Sequence, residues 1–134
     1  MIVYGWQMPI VQVTALRQRV GIDLGDVSRA IAAAVGAELG ADPAGTWVTW
    51  QTLDPGSYRE GLDSAPAVQP GATHPPLVRI SAFEGRPPEL VERVLSAVAG
   101  TLVRELGLGP GNVFVVWDEL PAGRVHTGGT IPSA

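Results

Sequence analysis

Proline and arginine recur in this chain at a fixed spacing: Arg19 lies ten residues after Pro9, and Arg86 ten residues after Pro76. A guanidinium meets a carboxylate through two parallel hydrogen bonds, which fix both its position and its orientation. A proline nitrogen accepts a proton only as a free secondary amine, because inside a chain it is an amide. These residue types are able to hold a carboxylate and, where a proline opens a chain, to transfer a proton. Other chemistries find little support. There is no cysteine, and the two histidines, His74 and His126, lie far apart in sequence. Thiolate chemistry is excluded and a histidine metal site within one chain is not expected. No serine, histidine and acid share a spacing that supports a nucleophilic triad. The segment GLGPGN (107–112) has the composition of a phosphate loop. It follows a helix and precedes a strand, the reverse of the order that aims backbone N–H groups at a phosphate.

The elements that position these residues are duplicated. Shifting the sequence by 67 positions lays 9–61 onto 76–128 without a gap. The identities include Pro9/Pro76, Arg19/Arg86, Val27/Val94, Leu39/Leu106, Gly40/Gly107, Trp50/Trp117 and Gly61/Gly128. In the first copy 9–16 is rich in β-branched residues and reads as a strand opening on proline. A helix begins near Asp23, which can cap it, and carries Leu24, Val27, Ile31, Val35 and Leu39 as one apolar stripe. Gly40 suits the left-handed residue that closes it, and 46–53 is a second strand. The second copy repeats these steps. Its strands are 76–83 and 113–120, and its stripe is Val91, Val94, Val98, Leu102 and Leu106.

Each copy is thus a βαβ unit with parallel strands. The expected organisation is one domain over 1–134, with a first repeat at 9–61, a linker at 62–75 and a second repeat at 76–129. The fold class is α+β, a four-stranded sheet with two helices on one face. Because 113–117 is apolar on both faces, and Trp47 and Trp50 point opposite ways, the other face must be covered from outside the chain, which predicts an oligomer. The net charge of −4 and the lack of a basic cluster speak against a nucleic-acid partner or an anionic membrane surface. No segment has the length of a membrane span or the pattern of a signal peptide, so a cytoplasmic protein is expected.

The stretch PLVRISAFEGR (76–86), the helix and leucine-glycine ending after it, the strand carrying Glu119, the final Gly128-Gly129 and the Met8-Pro9 opening resemble the tautomerase superfamily. That family includes 4-oxalocrotonate tautomerase, macrophage migration inhibitory factor, the chloroacrylic acid dehalogenases and malonate semialdehyde decarboxylase. The resemblance covers nearly the whole chain. It implies a homotrimer of fused repeats that needs no cofactor or metal and acts on a small carboxylate-containing enol or 2-keto acid. It also implies that Pro9, exposed as an amino terminus, is the acid/base, and that Arg19 and Arg86 orient the carboxylate. Tyr58 is implied as an aromatic wall furnishing the Pro9 site, and Glu119 as the water-activating group of a dehalogenase-like branch.

The sequence departs from the pattern in two places. Seven residues and Met8 precede Pro9, so either Met8 is the true start or the proline only opens a strand. Trp47 and Phe114 stand where the family carries a further carboxylate-binding arginine, which favours a monocarboxylate or aromatic keto acid over a dicarboxylate. Two other readings are a non-enzymatic oligomer that binds small acids and a ferredoxin-like dimeric barrel. Pairing with a sister chain is also open.

Overall fold

In the computed structural model, which describes residues 9–133, the elements follow in the order β1 (Ile10–Leu16), α1 (Leu24–Leu39), β2 (Trp47–Leu53), β3 (Arg59–Glu60), β4 (Asp63–Ser64), β5 (Leu77–Phe83), α2 (Pro88–Leu106) and β6 (Phe114–Leu120). The Met8 question lies outside the described residues. Asp23 caps α1 by accepting a hydrogen bond from the Asp26 amide at 3.0 Å. Gly40 and Gly107 close the two helices in the left-handed conformation, at φ +63° and +67°. The duplicated local signals therefore build duplicated elements.

Four strands form one sheet in the order β2-β1-β5-β6. β1 runs parallel to β2, and β5 parallel to β6. The two units join through β1 and β5, which are antiparallel. Alternation along the central strands turns Val11, Val13 and Ala15 of β1 and Val78, Ile80 and Ala82 of β5 to the helical side. There they are buried with Val27, Ile31 and Val35 of α1 and Val94, Val98, Leu102 and Leu106 of α2. Both helices occupy one face, so a single core serves both repeats.

Among the described residues nothing covers the opposite face. Trp47, Leu77, Phe114 and Val116 are among its residues, and Phe114 is 55% exposed. Its charged members, Arg79 and Asp118, form an exposed ion pair at 3.1 Å. As expected, Trp50 packs against the core while Trp47 faces outward. The indole N–H groups of Trp50 and Trp117 are buried and have no hydrogen-bond partner among the described residues.

The segment between the repeats is more structured than its composition predicts. Asp63 and Ser64 in it form β4, which pairs with β3 at the end of the first repeat. Beyond it, the Gln69 amide donates to the Arg17 carbonyl at 2.7 Å, and the Gly109 amide to the Gly71 carbonyl at 2.8 Å. The Asn112 side chain donates to the carbonyls of Pro70 and Thr73, and that of Gln69 to the carbonyl of His74 at 2.7 Å. Polar side chains and backbone groups pin this segment, so it needs little apolar material. GLGPGN accordingly holds the linker.

Candidate active site

The antiparallel junction decides which candidate residues meet. Ile10 stands opposite Ser81 and Thr14 opposite Leu77, so the start of β1 lies beside the end of β5. β6 runs with β5 and brings Glu119 opposite Ala82. Pro9, Arg86 and Glu119 thus gather at one end of the sheet. Pro76, Arg19 and Tyr58 gather at the other, because β1 and β2 both finish there. A seven-residue strand separates the ends, roughly 20 Å at about 3.3 Å per residue.

At the first end Pro9 is buried, and its carbonyl accepts a hydrogen bond from the Trp47 amide at 3.0 Å. Trp47 is the neighbour that proline–arginine spacing alone does not reveal. The Arg86 side chain is buried and donates to the Phe83 carbonyl at 3.3 Å, which ties it to the end of β5. Glu119 is exposed on the edge strand β6. His126 is exposed in the tail after β6, where Gly128 and Gly129 both take positive φ between the paired Thr127 and Thr130. Two consecutive left-handed residues are what a tight reversal there requires.

At the second end Arg19 turns away from the sheet and donates to the Leu106 carbonyl in the last turn of α2. A cation at this position satisfies a carbonyl the helix leaves unpaired and opposes the negative end of its dipole. The Tyr58 hydroxyl donates to the Pro75 carbonyl at 2.6 Å, and its ring meets that of His74 edge-on at 5.3 Å. Burial, and then the Glu60 carboxylate, push the Tyr58 phenol above its ordinary range. The buried His74 donates its amide to Glu60 at 2.7 Å. Within the chain, then, Tyr58 stands with Pro76 and not with Pro9. The hairpin after β2 leaves from the far end because β2 is parallel to β1. The described residues hold no cluster of histidine, cysteine or carboxylate groups able to bind a metal ion.

No family model matches the sequence, and no curated protein is similar to it. Solved structures are similar in shape. A wild-type fused 4-OT in the form of a symmetric trimer superposes with a TM-score of 0.78 over 92% of this chain and 94% of that one, at 18% identity. This is the fold of the tautomerase superfamily. The crystal structure of Pt0534 inactivated by 2-oxo-3-pentynoate superposes at 0.80 with 20% identity, covering 92% of this chain and 94% of that one. A member of the cis-3-chloroacrylic acid dehalogenase family gives 0.70 with 22% identity, covering 92% and 84%. The ferredoxin-like alternative is thereby set aside. The likeness reaches across branches that carry out different reactions.

Proposed function

We propose that the chain is a cofactor-independent keto–enol tautomerase for small 2-keto or enol acids bearing one carboxylate, and that its active form begins at Pro9. The observation that carries this reading is the register placing Pro9 and Arg86 at the same end of the sheet. Arg86 takes the carboxylate. The Pro9 amine accepts the enol hydroxyl proton, and the resulting ammonium delivers a proton to the neighbouring carbon, so nothing is gained or lost overall. In this reading burial and a guanidinium at the same end of the sheet disfavour the ammonium form, the condition under which a proline amine serves as a base. Arg19 and Tyr58 can reach a Pro9 centre only from a second copy. The uncovered sheet face, with Trp47 and Phe114 exposed, supports a homotrimer such as the fused 4-OT forms.

A second reading follows from Glu119. Its position at the Pro9 end supports a water-adding, dehalogenase-like reaction in which the carboxylate activates water and a cationic Pro9 acts as the acid. A third is a non-enzymatic oligomer that binds small acids.

The test compares a chain beginning at Pro9 with its Pro9→Ala variant in ketonising phenylenolpyruvate, followed by absorbance. The expected result is turnover that alanine reduces at least a hundredfold. Equal rates in the two chains would dismiss the proline mechanism. Saturable keto-acid binding without turnover in either would favour the binding protein.

A further inference from the structure

The two repeats differ most where their first strands end. In the second repeat the strands stay joined past β5, with the Glu84 amide donating to the Leu120 carbonyl at 3.2 Å. Among the described residues the matching bond, from Arg17 to Leu53, is missing. Arg17 instead bridges to Val68, and its carbonyl accepts from Gln69. The linker has taken the place of the partner strand. The gap between β1, β2 and the linker is a cavity of about 430 Å³, whose lining includes Arg17, Thr52, Asp54, Ala67 and Val68. Its volume falls within the range typical of small-molecule sites.

Charge in this cavity is arranged differently from its counterpart. The second repeat carries Glu84, Glu119 and Pro121 where the first carries Arg17, Thr52 and Asp54. Among the described residues neither Arg17 nor Asp54 forms an ion pair, with each other or with another group. Asp54 is also idle as a cap. It precedes the short 3-10 turn Pro55–Ser57 without a side-chain bond to it, whereas Asp23 and Asp42 cap their own helices. Opposite charges line one cavity and do not neutralise each other.

We infer that this cavity is a second binding site, separate from the Pro9 end, for a small zwitterion of the α-amino acid class. Arg17 takes the carboxylate through its paired N–H groups, Asp54 takes the ammonium, and Thr52 offers a hydroxyl between them. The exposed Ala67 and Val68 border the hydrocarbon part. A dianion is disfavoured because the Asp54 carboxylate repels its second charge.

The test uses the whole chain and follows backbone amides by nuclear magnetic resonance during titration with L-alanine and, separately, with pyruvate. Pyruvate has the same carbon skeleton without the ammonium. L-alanine is expected to shift the amides of Thr52, Ala67 and Val68 with a dissociation constant on the order of 1 mM. Pyruvate should bind there about tenfold or more weakly, and Arg17→Gln and Asp54→Asn should each weaken alanine by about the same factor. Shifts from pyruvate near Glu84 and Arg86 would report the other end of the sheet, so the two sites are read apart. The inference is overturned if pyruvate matches alanine at the linker amides, if neither variant changes the alanine titration, or if no saturable shift occurs.

Discussion

Removing the Arg19 guanidinium tests whether this arginine serves the fold or the substrate. Its bond to the Leu106 carbonyl is charge-assisted and sits at a helix C-terminus. Such contacts contribute about 1.5–3 kcal/mol when shielded and a few tenths for the dipole alone. Arg19 is largely exposed, and screening by solvent brings the expected loss in Arg19→Ala to about 1 kcal/mol. The repeat supplies an internal control. Gly40 and Gly107 close equivalent helices at nearly equal positive φ, and a Cβ on Gly40 would meet nothing within 4 Å. On Gly107 it would come within 2.9 Å of an Arg19 guanidinium nitrogen. Gly40→Ala should cost about 1 kcal/mol from left-handed strain alone. Gly107→Ala adds displacement of the guanidinium, for a total of about 2 kcal/mol, and the excess should vanish in an Arg19→Ala background. Urea unfolding at one fixed chain concentration reads all four costs, because the proposed assembly would make stability depend on concentration. The reasoning fails if the two glycine substitutions cost the same, or if Gly107→Ala and Arg19→Ala are additive. Either result would return Arg19 to the candidates for binding substrate.

Arg86→Gln should raise KM for a 2-keto acid about tenfold or more while changing kcat little, because the proposed carboxylate contact is bidentate; unchanged steady-state kinetics would exclude the proposed role. Tyr58→Phe should cost about 1 kcal/mol through loss of the bond to the Pro75 carbonyl. With its phenol raised by burial, the native state keeps the Tyr58 proton after the unfolded chain has begun to release it near pH 10. That contribution to stability is complete below the unfolded value and declines as pH rises through it, so Tyr58→Phe should flatten the alkaline fall in an unfolding titration. The exposed face predicts an oligomer, three chains if it assembles as the fused 4-OT does, and Phe114→Asp should shift it towards smaller species. A monomeric parent at micromolar concentration would contradict the proposed assembly.

Much of this architecture can be read from the repeat. The stripe positions Val27, Ile31 and Val35, and Val94, Val98 and Leu102, are buried as their spacing implies, since helical period and burial are two views of one constraint. Asp23, Gly40 and Gly107 mark helix ends through backbone needs that are local. The pairing of candidate residues is not legible in the same way. A shift of 67 positions shows that Arg19 and Arg86 are equivalent, but equivalents in an antiparallel pair of units stand at opposite ends. Only the β1-β5 register reveals that Arg86, and not Arg19, accompanies Pro9. The linker escapes sequence reading for another reason. It is fixed by Gln69, Asn112 and backbone groups, and hydrogen bonding of this kind leaves no apolar period.

The antiparallel junction of β1 with β5 makes the molecule a natural subject for circular permutation. Cutting between Pro75 and Pro76 would turn an inert amide nitrogen into a secondary amine. It would also convert the carbonyl that holds Tyr58 into a terminal carboxylate. Joining the tail after β6 to the start of β1 needs only a short bridge, because both lie at the same end of the sheet. The permuted protein would carry its reactive terminus among Arg19, Tyr58 and the linker cavity. The two ends of one sheet could then be compared as catalysts within the same core.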